Sequence, residues 1–438
     1  MAGLTRGERR EVEVTALAHD GRGVARIDGK AVFVAGALPG ERVEIEITRR
    51  RRHLDEARLV AILAASPDRV EPRCAHFGVC GGCSLQHLAG DAQLAAKQTQ
   101  LLEDFERIGR VRPATVLAPL AGPPFGYRRR ARLGIRYVRK KGRVLAGFRE
   151  RDAPYLADLA RCEVLVERFA TLPRDLAALV EGLSIRERVP QVELAVADAA
   201  AALVFRVMDP PSPADLERLA AFGREVGAAV HLQPGGLDSV RPLGEAPPLD
   251  YAVDGGAVRI GFAPVDFVQV NGALNEAMVQ AAIAALDPGP ADRVLDLFCG
   301  LGNFTLPLAR RAAQVVGVEG DPGLVERARD NARRNGIDNA RFHVANLFEP
   351  ASFGDWAREP PDLVLLDPPR AGAREVAERL LDWRPRRVVY ISCHPGSLAR
   401  DASVLVDAGT YELAAAGVMD MFPQTTHLEA IAVFERRR

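Results

Sequence analysis

An α/β fold with a doubly wound parallel sheet is predicted for the carboxyl-terminal part of this 438-residue chain, with a small β-barrel at the amino-terminal end. Three observations predict it. From about residue 290, apolar strand-like runs at 293–298, 314–319, 341–345, 362–367 and 386–391 alternate with helix-like stretches near 303–312, 322–335, 372–382 and 396–407. That alternation is the rhythm of parallel βαβ units. Residues 11–64 instead carry short β-like runs separated by the turn signals Asp20-Gly21, Asp28-Gly29 and Pro39-Gly40, as a small barrel does. Finally, Cys393 follows the run Val388-Val389-Tyr390-Ile391-Ser392, and His394, Pro395 and Gly396 stop that strand at once. A cysteine there lies at the carboxyl edge of the sheet, where open α/β sheets bind their ligands.

Length and composition bound the organisation. The chain is too long for one compact domain. Its punctuation divides it into 1–66, 67–260 and 261–438. With 48% hydrophobic and 26% charged residues it reads as an ordinary soluble protein, and zero net charge excludes only a globally basic nucleic-acid binder. No apolar run reaches the roughly eighteen residues of a membrane span. The segment Met1–Arg10 lacks the apolar core of a signal peptide, so a cytoplasmic location and no membrane partner are expected.

The barrel strands are placed at Val12-Glu13-Val14, Ala31-Val32-Phe33-Val34, Val43-Glu44-Ile45-Glu46-Ile47 and Ala57-Arg58-Leu59-Val60. The fragments Gly21-Arg22-Gly23-Val24-Ala25-Arg26 and Phe33–Glu41 resemble a TRAM domain, an OB-like RNA-binding barrel. Arg49–Arg52 is a basic run of the kind that is usually a solvated loop.

Farther on, a helix is expected over Ala92–Ile108. Residues 128–151 then hold eleven Arg or Lys against the single acid Glu150, with Tyr127, Tyr137 and Phe148 interleaved. Such a stretch can neutralise phosphates and stack on bases, and it can equally be a solvated hairpin. Residues 411–420 and 427–435 read as two closing strands.

The first strand of the α/β region runs into Asp296-Leu297-Phe298-Cys299-Gly300-Leu301-Gly302-Asn303, a strand followed by a glycine turn. Glycines there let backbone approach a ligand. The next strand ends in Glu319, an acid suited to holding two ribose hydroxyls. This order resembles class I S-adenosylmethionine (SAM) methyltransferases. NAD binding is disfavoured because the third glycine of its fingerprint is absent. The resemblance implies that Asp296 and the loop, with Phe298 and Asn303, lie near the methionine part. It puts Glu319 on the ribose, Asn346 near the adenine and Gln269 against SAM, with Cys299 as pocket wall.

Asp-Pro-Pro-Arg (367–370), Ser-Cys-His-Pro (392–395) and Met421-Phe422-Pro423-Gln424-Thr425-Thr426-His427-Leu428-Glu429 complete the pattern. In this order they resemble the RNA uracil-5-methyltransferase family from about residue 260 onward. C5 of uracil is too weak a nucleophile to take a methyl group directly, whereas a thiolate added at C6 pushes electron density onto C5. The resemblance makes Cys393 that nucleophile, needing a lowered pKa or a base. It makes Glu429 the base that removes the C5 proton and Asp367 a hydrogen-bonding partner of the base edge that also borders SAM. The target base has to leave its stack.

Six cysteines occur, and in a long chain without a leader their clustering points to metal or catalysis rather than disulfides. Cys74, Cys80 and Cys83, with the distant Cys162, suit an iron–sulfur cluster or a zinc ion, for which His76 and His87 are further ligand types. The ribosomal-RNA branch of the family carries a 4Fe-4S cluster on this spacing, and the resemblance implies one in a central α+β domain. A radical-SAM site is disfavoured because its cysteine spacing differs. The resemblance further implies 23S ribosomal RNA as partner and a monomer. The alternatives are another uridine of the same RNA and a non-catalytic RNA-binding iron–sulfur protein.

Overall fold

The structure, a computed structural model, describes residues 5–437. Residues 1–4, the start of the segment read for a leader, lie outside the described residues. The chain packs as two compact units. The first comprises the described part of Met1–Gln100 together with Phe148–Ala157 and Pro423–Thr426; the second comprises Leu101–Gly147, Asp158–Phe422 and the described part of His427–Arg438. Among the described residues no helix is long and apolar enough to cross a membrane.

In the first unit, β1 (Arg9–Leu17), β2 (Gly23–Ile27), β3 (Lys30–Ala35), β4 (Arg42–Arg50) and β5 (Leu54–Ala64) form a closed barrel in the order β1-β2-β3-β5-β4. Alternate residues point inward, so Val12, Val14, Val32, Val34, Val43, Ile45 and Ile47 fill the interior. Closure leaves no free strand edge. β2 was not expected as a strand, because Gly23, Ala25 and Arg26 interrupt its β-branched residues Val24 and Ile27. Beyond the barrel, Arg69 donates to the buried Glu41 at 2.5 and 2.9 Å and to the Gly36 carbonyl at 2.7 Å, pinning the cysteine-bearing loop. Helix α1 (Gly90–Asp104) follows.

The second unit contains two larger sheets. The short β6 (Thr115–Val116) comes first. β7 (Arg130–Val138), β8 (Arg143–Gly147), β9 (Gln191–Val196), β10 (Ala201–Arg206), β11 (Ala229–Gln233) and β12 (Arg241–Pro242) pair in the order β12-β11-β10-β9-β7-β8. Helices α2 (Leu172–Glu181) and α3 (Pro213–Val226) belong with them. β13 (Leu249–Val253) and β14 (Val258–Phe262) make an antiparallel pair leading to α4 (Gly272–Leu286).

The expected α/β sheet then appears: β15 (Arg293–Leu297), α5 (Thr305–Ala309), β16 (Gln314–Glu319), α6 (Pro322–Arg334), β17 (Ala340–Val344), β18 (Leu363–Leu366), α7 (Arg374–Trp383), β19 (Arg387–Ser392), α8 (Pro395–Asp407), β20 (Tyr411–Met419) and β21 (Glu429–Arg436). Its strand order is β17-β16-β15-β18-β19-β21-β20-β6. The first five are mutually parallel, while β21 inserts antiparallel between β19 and β20. Both faces are covered, which is why the strands are continuously apolar. Val294, Leu363, Leu365 and Val389 pack toward α4, and Leu295, Val364, Leu366 and Val388 pack toward α7 and α8. The chain winds outward from β15 in one direction and from β18 in the other, so the switch point lies between their carboxyl ends. That is the crevice where such sheets bind ligands.

Candidate active site

One cavity of about 800 Å³ opens at that switch point. Its lining includes Gln269, Phe298, Asn303, Glu319, Asn346, Asp367, Cys393 and Glu429, which are the residues expected from the sequence to bind the cofactor or react, Asp296 excepted.

The loop after β15 forms one side. Phe298 takes a left-handed backbone (φ 65°), as do Gly300 and Gly302 (φ 52° and 89°). A phenylalanine there is strained, and such strain persists where the surroundings fix it. Here the Phe298 and Cys299 N–H groups both donate to the Val318 carbonyl, at 2.8 and 3.1 Å. Phe298 and Phe348 rings face each other at 5.7 Å. Glu319 ends β16 with both carboxylate oxygens occupied: Gly300 N–H donates to Oε2 at 3.1 Å, and Gly320 and Asp321 N–H groups donate to Oε1 at 2.7 and 3.1 Å. Asn346 is held by Glu349, donating from Nδ2 at 2.8 Å.

Asp296 departs from the expectation. It is fully buried beneath the loop, accepts the Thr305 hydroxyl at 2.5 Å and does not line the cavity. Burial pushes its carboxyl up to about 7. Its position follows from the strand period: Asp296 points to the opposite sheet face from Leu295 and Leu297. Cys299 is wall, as expected. It is buried against Gly317, where an added Cβ would lie 3.0 Å from its Sγ, and burial holds its thiol well above the ordinary value.

The other side carries the groups expected from the sequence to react. Asp367 follows β18, Cys393 follows β19 and Glu429 opens β21. Their neighbours on the sheet fix these positions, since β18, β19 and β21 are adjacent. His394 caps α8, its Nδ1 accepting the Ser397 N–H at 3.1 Å, and its own N–H donates to Ser392 Oγ at 3.1 Å. Cys393 is therefore clamped between two tied residues. The sequence led us to expect a nucleophile with a depressed pKa or a base. Burial, then Glu429 and Asp367, instead push the thiol up to about 11, with Arg370 opposing. The physical reason is a shared cavity containing two carboxyl groups. Burial raises Asp367 to about 7, aided by Glu319, and raises Glu429 well above its usual range, aided by Asp367. Of the two expected routes to a reactive thiol, a lowered pKa is the one this environment opposes.

Sequence reasoning missed Tyr251, Phe267 and His427 on the wall. Tyr251 lies in a separate hairpin, and no spacing connects it to the loop. Phe267 is 72% exposed, an unusual state for an aromatic side chain. The four residues between Phe422 and His427 pack in the first unit. There Gln424, left-handed at φ 69°, accepts the Ser84 and Leu85 N–H groups on its carbonyl at 2.9 and 3.0 Å and exchanges amide hydrogen bonds with Gln93.

Two other expectations concern the basic stretch and the clustered cysteines. The arginine-rich stretch is largely answered by acids from other strands and loops. Arg130 and Arg132 flank Glu193 at 3.6 and 3.0 Å, Arg139 meets Glu187 at 3.1 Å and Arg143 pairs with Asp158. Tyr127 is buried and Tyr137 lies under Arg186, while Arg136 and Lys140 stay exposed. Most of the local charge excess therefore serves packing, because a sequence window cannot see acids paired from elsewhere. As for Cys74, Cys80, Cys83 and Cys162, none is in a disulfide, and among the described residues no three His, Cys, Asp or Glu side chains converge as a metal site. An iron–sulfur central domain is not seen.

Comparison with known proteins agrees with this architecture. The TRAM domain family matches residues 3–60, a methyltransferase domain family matches 288–379, and the tRNA (uracil-5-)-methyltransferase family matches 358–437. A Pyrococcus abyssi tRNA (uracil-54, C5)-methyltransferase, solved in complex with S-adenosyl-L-homocysteine, shares the fold with a TM-score of 0.74 at 24% identity, over 97% of this chain and 100% of that one. The 23S rRNA (uracil(1939)-C(5))-methyltransferase RlmD of Alkalilimnicola ehrlichii is 54% identical over 430 residues, 97% of this chain and 96% of its own. Its Stenotrophomonas maltophilia counterpart is 52% identical over 431 residues, 98% of this chain and 97% of its own. The chain belongs to the RlmD-type branch of the RNA uracil-5-methyltransferase family.

Proposed function

We propose that this protein methylates C5 of one 23S rRNA uridine, the one in its relatives' names, through a covalent adduct between Cys393 and uracil C6. The observation that carries the reading is the single cavity that holds Glu319, Asn303 and Asn346 together with Cys393, Asp367 and Glu429. SAM supplies the methyl group from its sulfonium when bound; Gln269, Phe298, Asn303, Glu319 and Asn346 form its side of the cavity, with Asp367 at the border.

The raised pKa values order the proton transfers. Asp367, near 7, is partly ionised at neutral pH and takes the Cys393 proton as sulfur bonds to C6. Once protonated, it donates to the uracil carbonyl oxygen on which enolate charge develops, a stabilisation that a dry cavity strengthens. C5 then attacks the methyl carbon. Glu429, which acts only in its ionised form, removes the C5 proton and later releases it to solvent, the C6–S bond breaks, and the departing thiolate recovers its proton from Asp367. One proton is released overall. Arg370 lowers the cost of the transient thiolate.

The cluster ligands Cys74, Cys80, Cys83 and Cys162 are proposed on spacing and family resemblance alone, and no step passes through them. Anaerobic reconstitution with iron and sulfide should produce visible charge-transfer absorbance, whereas stoichiometric zinc in the purified protein would replace the iron reading. Catalysis is tested by incubating the protein with tritiated SAM and undermodified 23S rRNA, then mapping the product. Label at C5 of one uridine is expected; a SAM-binding protein that labels no RNA contradicts the proposal.

A further inference from the structure

Asn303 is a cavity residue whose side-chain hydrogen bonding is almost fully specified by the protein. The Tyr251 hydroxyl donates to Asn303 Oδ1 at 3.1 Å and Asn275 Nδ2 donates to the same oxygen at 3.0 Å. Asn303 Nδ2 returns a hydrogen bond to Asn275 Oδ1 at 2.9 Å. An amide oxygen has two lone pairs and an amide nitrogen two hydrogens. Both lone pairs are therefore used and one N–H is left over. We propose that Tyr251 and Asn275 are positioning residues that lock the Asn303 amide so that it offers the cavity only an N–H, and that this selects the carboxylate of the donor's amino-acid tail. The inference rests on the reading above that Asn303 borders SAM.

The chemistry of the tail makes the orientation matter. Its carboxylate only accepts hydrogen bonds and its ammonium only donates them. A locked N–H suits the first and opposes the second, and a charge-assisted hydrogen bond is roughly twice as strong as a neutral one. An amide free to flip would present its oxygen half of the time and lose that discrimination.

The lock is itself buttressed. Tyr251 is 4% exposed, its ring packs against Phe262 at 6.0 Å, and burial keeps its phenol protonated so that it can donate. The Arg129 guanidinium covers the same ring at 5.6 Å. It occupies a slot that exists only because residue 272 is glycine, since a Cβ there would sit 1.1 Å from Arg129 Nη2. Asn275 stands in the first turn of α4, whose cap Asn271 accepts the Leu274 N–H at 3.2 Å. The donor of each hydrogen bond to Asn303 is thus fixed by groups that do not touch the ligand.

Calorimetric titration of the full chain with two ligands tests this. S-adenosylhomocysteine carries the amino-acid tail; 5′-methylthioadenosine lacks it. Tyr251→Phe should weaken S-adenosylhomocysteine about fivefold and leave 5′-methylthioadenosine unchanged. Equal weakening of both ligands, or unchanged affinity for the first, overturns the proposal. Asn275→Asp removes the second donor to Oδ1 and should show the same selective loss, which covers the case in which Tyr251→Phe fails to fold. Asn303→Ala separates the two readings. If it binds S-adenosylhomocysteine as the parent does, Asn303 does not border the donor and both fail; if it loses affinity while Tyr251→Phe and Asn275→Asp do not, only the positioning role fails.

Discussion

The Tyr390 hydroxyl donates to Asp401 Oδ2 at 2.7 Å, and the same buried oxygen accepts the Ala373 N–H at 2.7 Å. Arg400 completes the knot, donating to Asp401 Oδ1 at 2.8 and 2.7 Å and to the Ala371 carbonyl at 2.8 Å. The loop that follows Asp367–Arg370 is thereby tied to the strand before Cys393 and the helix after it. Gly372 belongs to the same arrangement: at φ 81° a Cβ would stand 2.5 Å from Asp401 Oδ2.

Graded losses follow. Tyr390→Phe removes one hydrogen bond and should cost about 1 kcal/mol, whereas Asp401→Ala leaves buried donors unsatisfied and should cost about 3 kcal/mol. Urea denaturation measures both. Equal effects would show that Asp401 does not hold the loop.

Asp296 gives a pH signature in stability. Its folded-state pKa, about 7, lies above the ordinary 3.8, so the folded protein holds a proton that the unfolded chain releases. Its contribution is most favourable below about pH 4, declines as pH rises toward 7 and is constant above that. Asp296→Asn carries no such titration. The drop in melting temperature from pH 5 to pH 8 should be smaller in the variant than in the parent; an identical drop contradicts the assignment.

Turnover should respond to pH in the opposite direction. Ionised Asp367 is the form that accepts the thiol proton, so kcat/KM for RNA should rise through about pH 7. Asp367→Asn should lose that limb along with most activity. A limb that persists in the variant assigns the titration to another group.

Within the first unit, Gln93 and Gln424 exchange two amide hydrogen bonds at 3.1 and 3.0 Å, both residues being buried. Gln93→Leu strands the Gln424 N–H and the Leu85 and Leu88 carbonyls that Gln93 Nε2 serves, and should destabilise the protein by about 2 kcal/mol. Gln93→Glu keeps the acceptor for the Gln424 N–H but sets a buried carboxyl against those carbonyls, and should cost at least as much. Chemical denaturation of the three proteins checks the order.

The sequence foretold the α/β sheet closely because each strand is buried on both faces, and a continuous apolar run such as Leu363–Leu366 has few other readings. The residues proposed to react were legible for a related reason. Asp367 and Cys393 each sit where such a run stops, and β21 presents Glu429 beside them. Long-range polar pairing was not legible. Nothing near Asn303 in sequence points to Tyr251, nothing near Arg132 points to Glu193, and the partner of Gln424 lies 331 positions away. Of the two routes to a reactive Cys393 that the sequence left open, a lowered pKa and help from a base, the choice was not legible either, because it depends on burial and on the carboxyl groups of Glu429 and Asp367 beside it.

The central claim is the bond between Cys393 and uracil C6, and the Glu429→Gln variant tests it most directly. Without the base, the C5 proton stays in place and the methylated adduct cannot eliminate. Incubation with SAM and undermodified 23S rRNA fragment, followed by denaturing electrophoresis and mass spectrometry of nuclease- and protease-treated material, should show a methylated uridine linked to the peptide containing Cys393. A Glu429→Gln protein that binds RNA and SAM yet forms no such link, or a Cys393→Ala protein that still methylates RNA, would contradict the account.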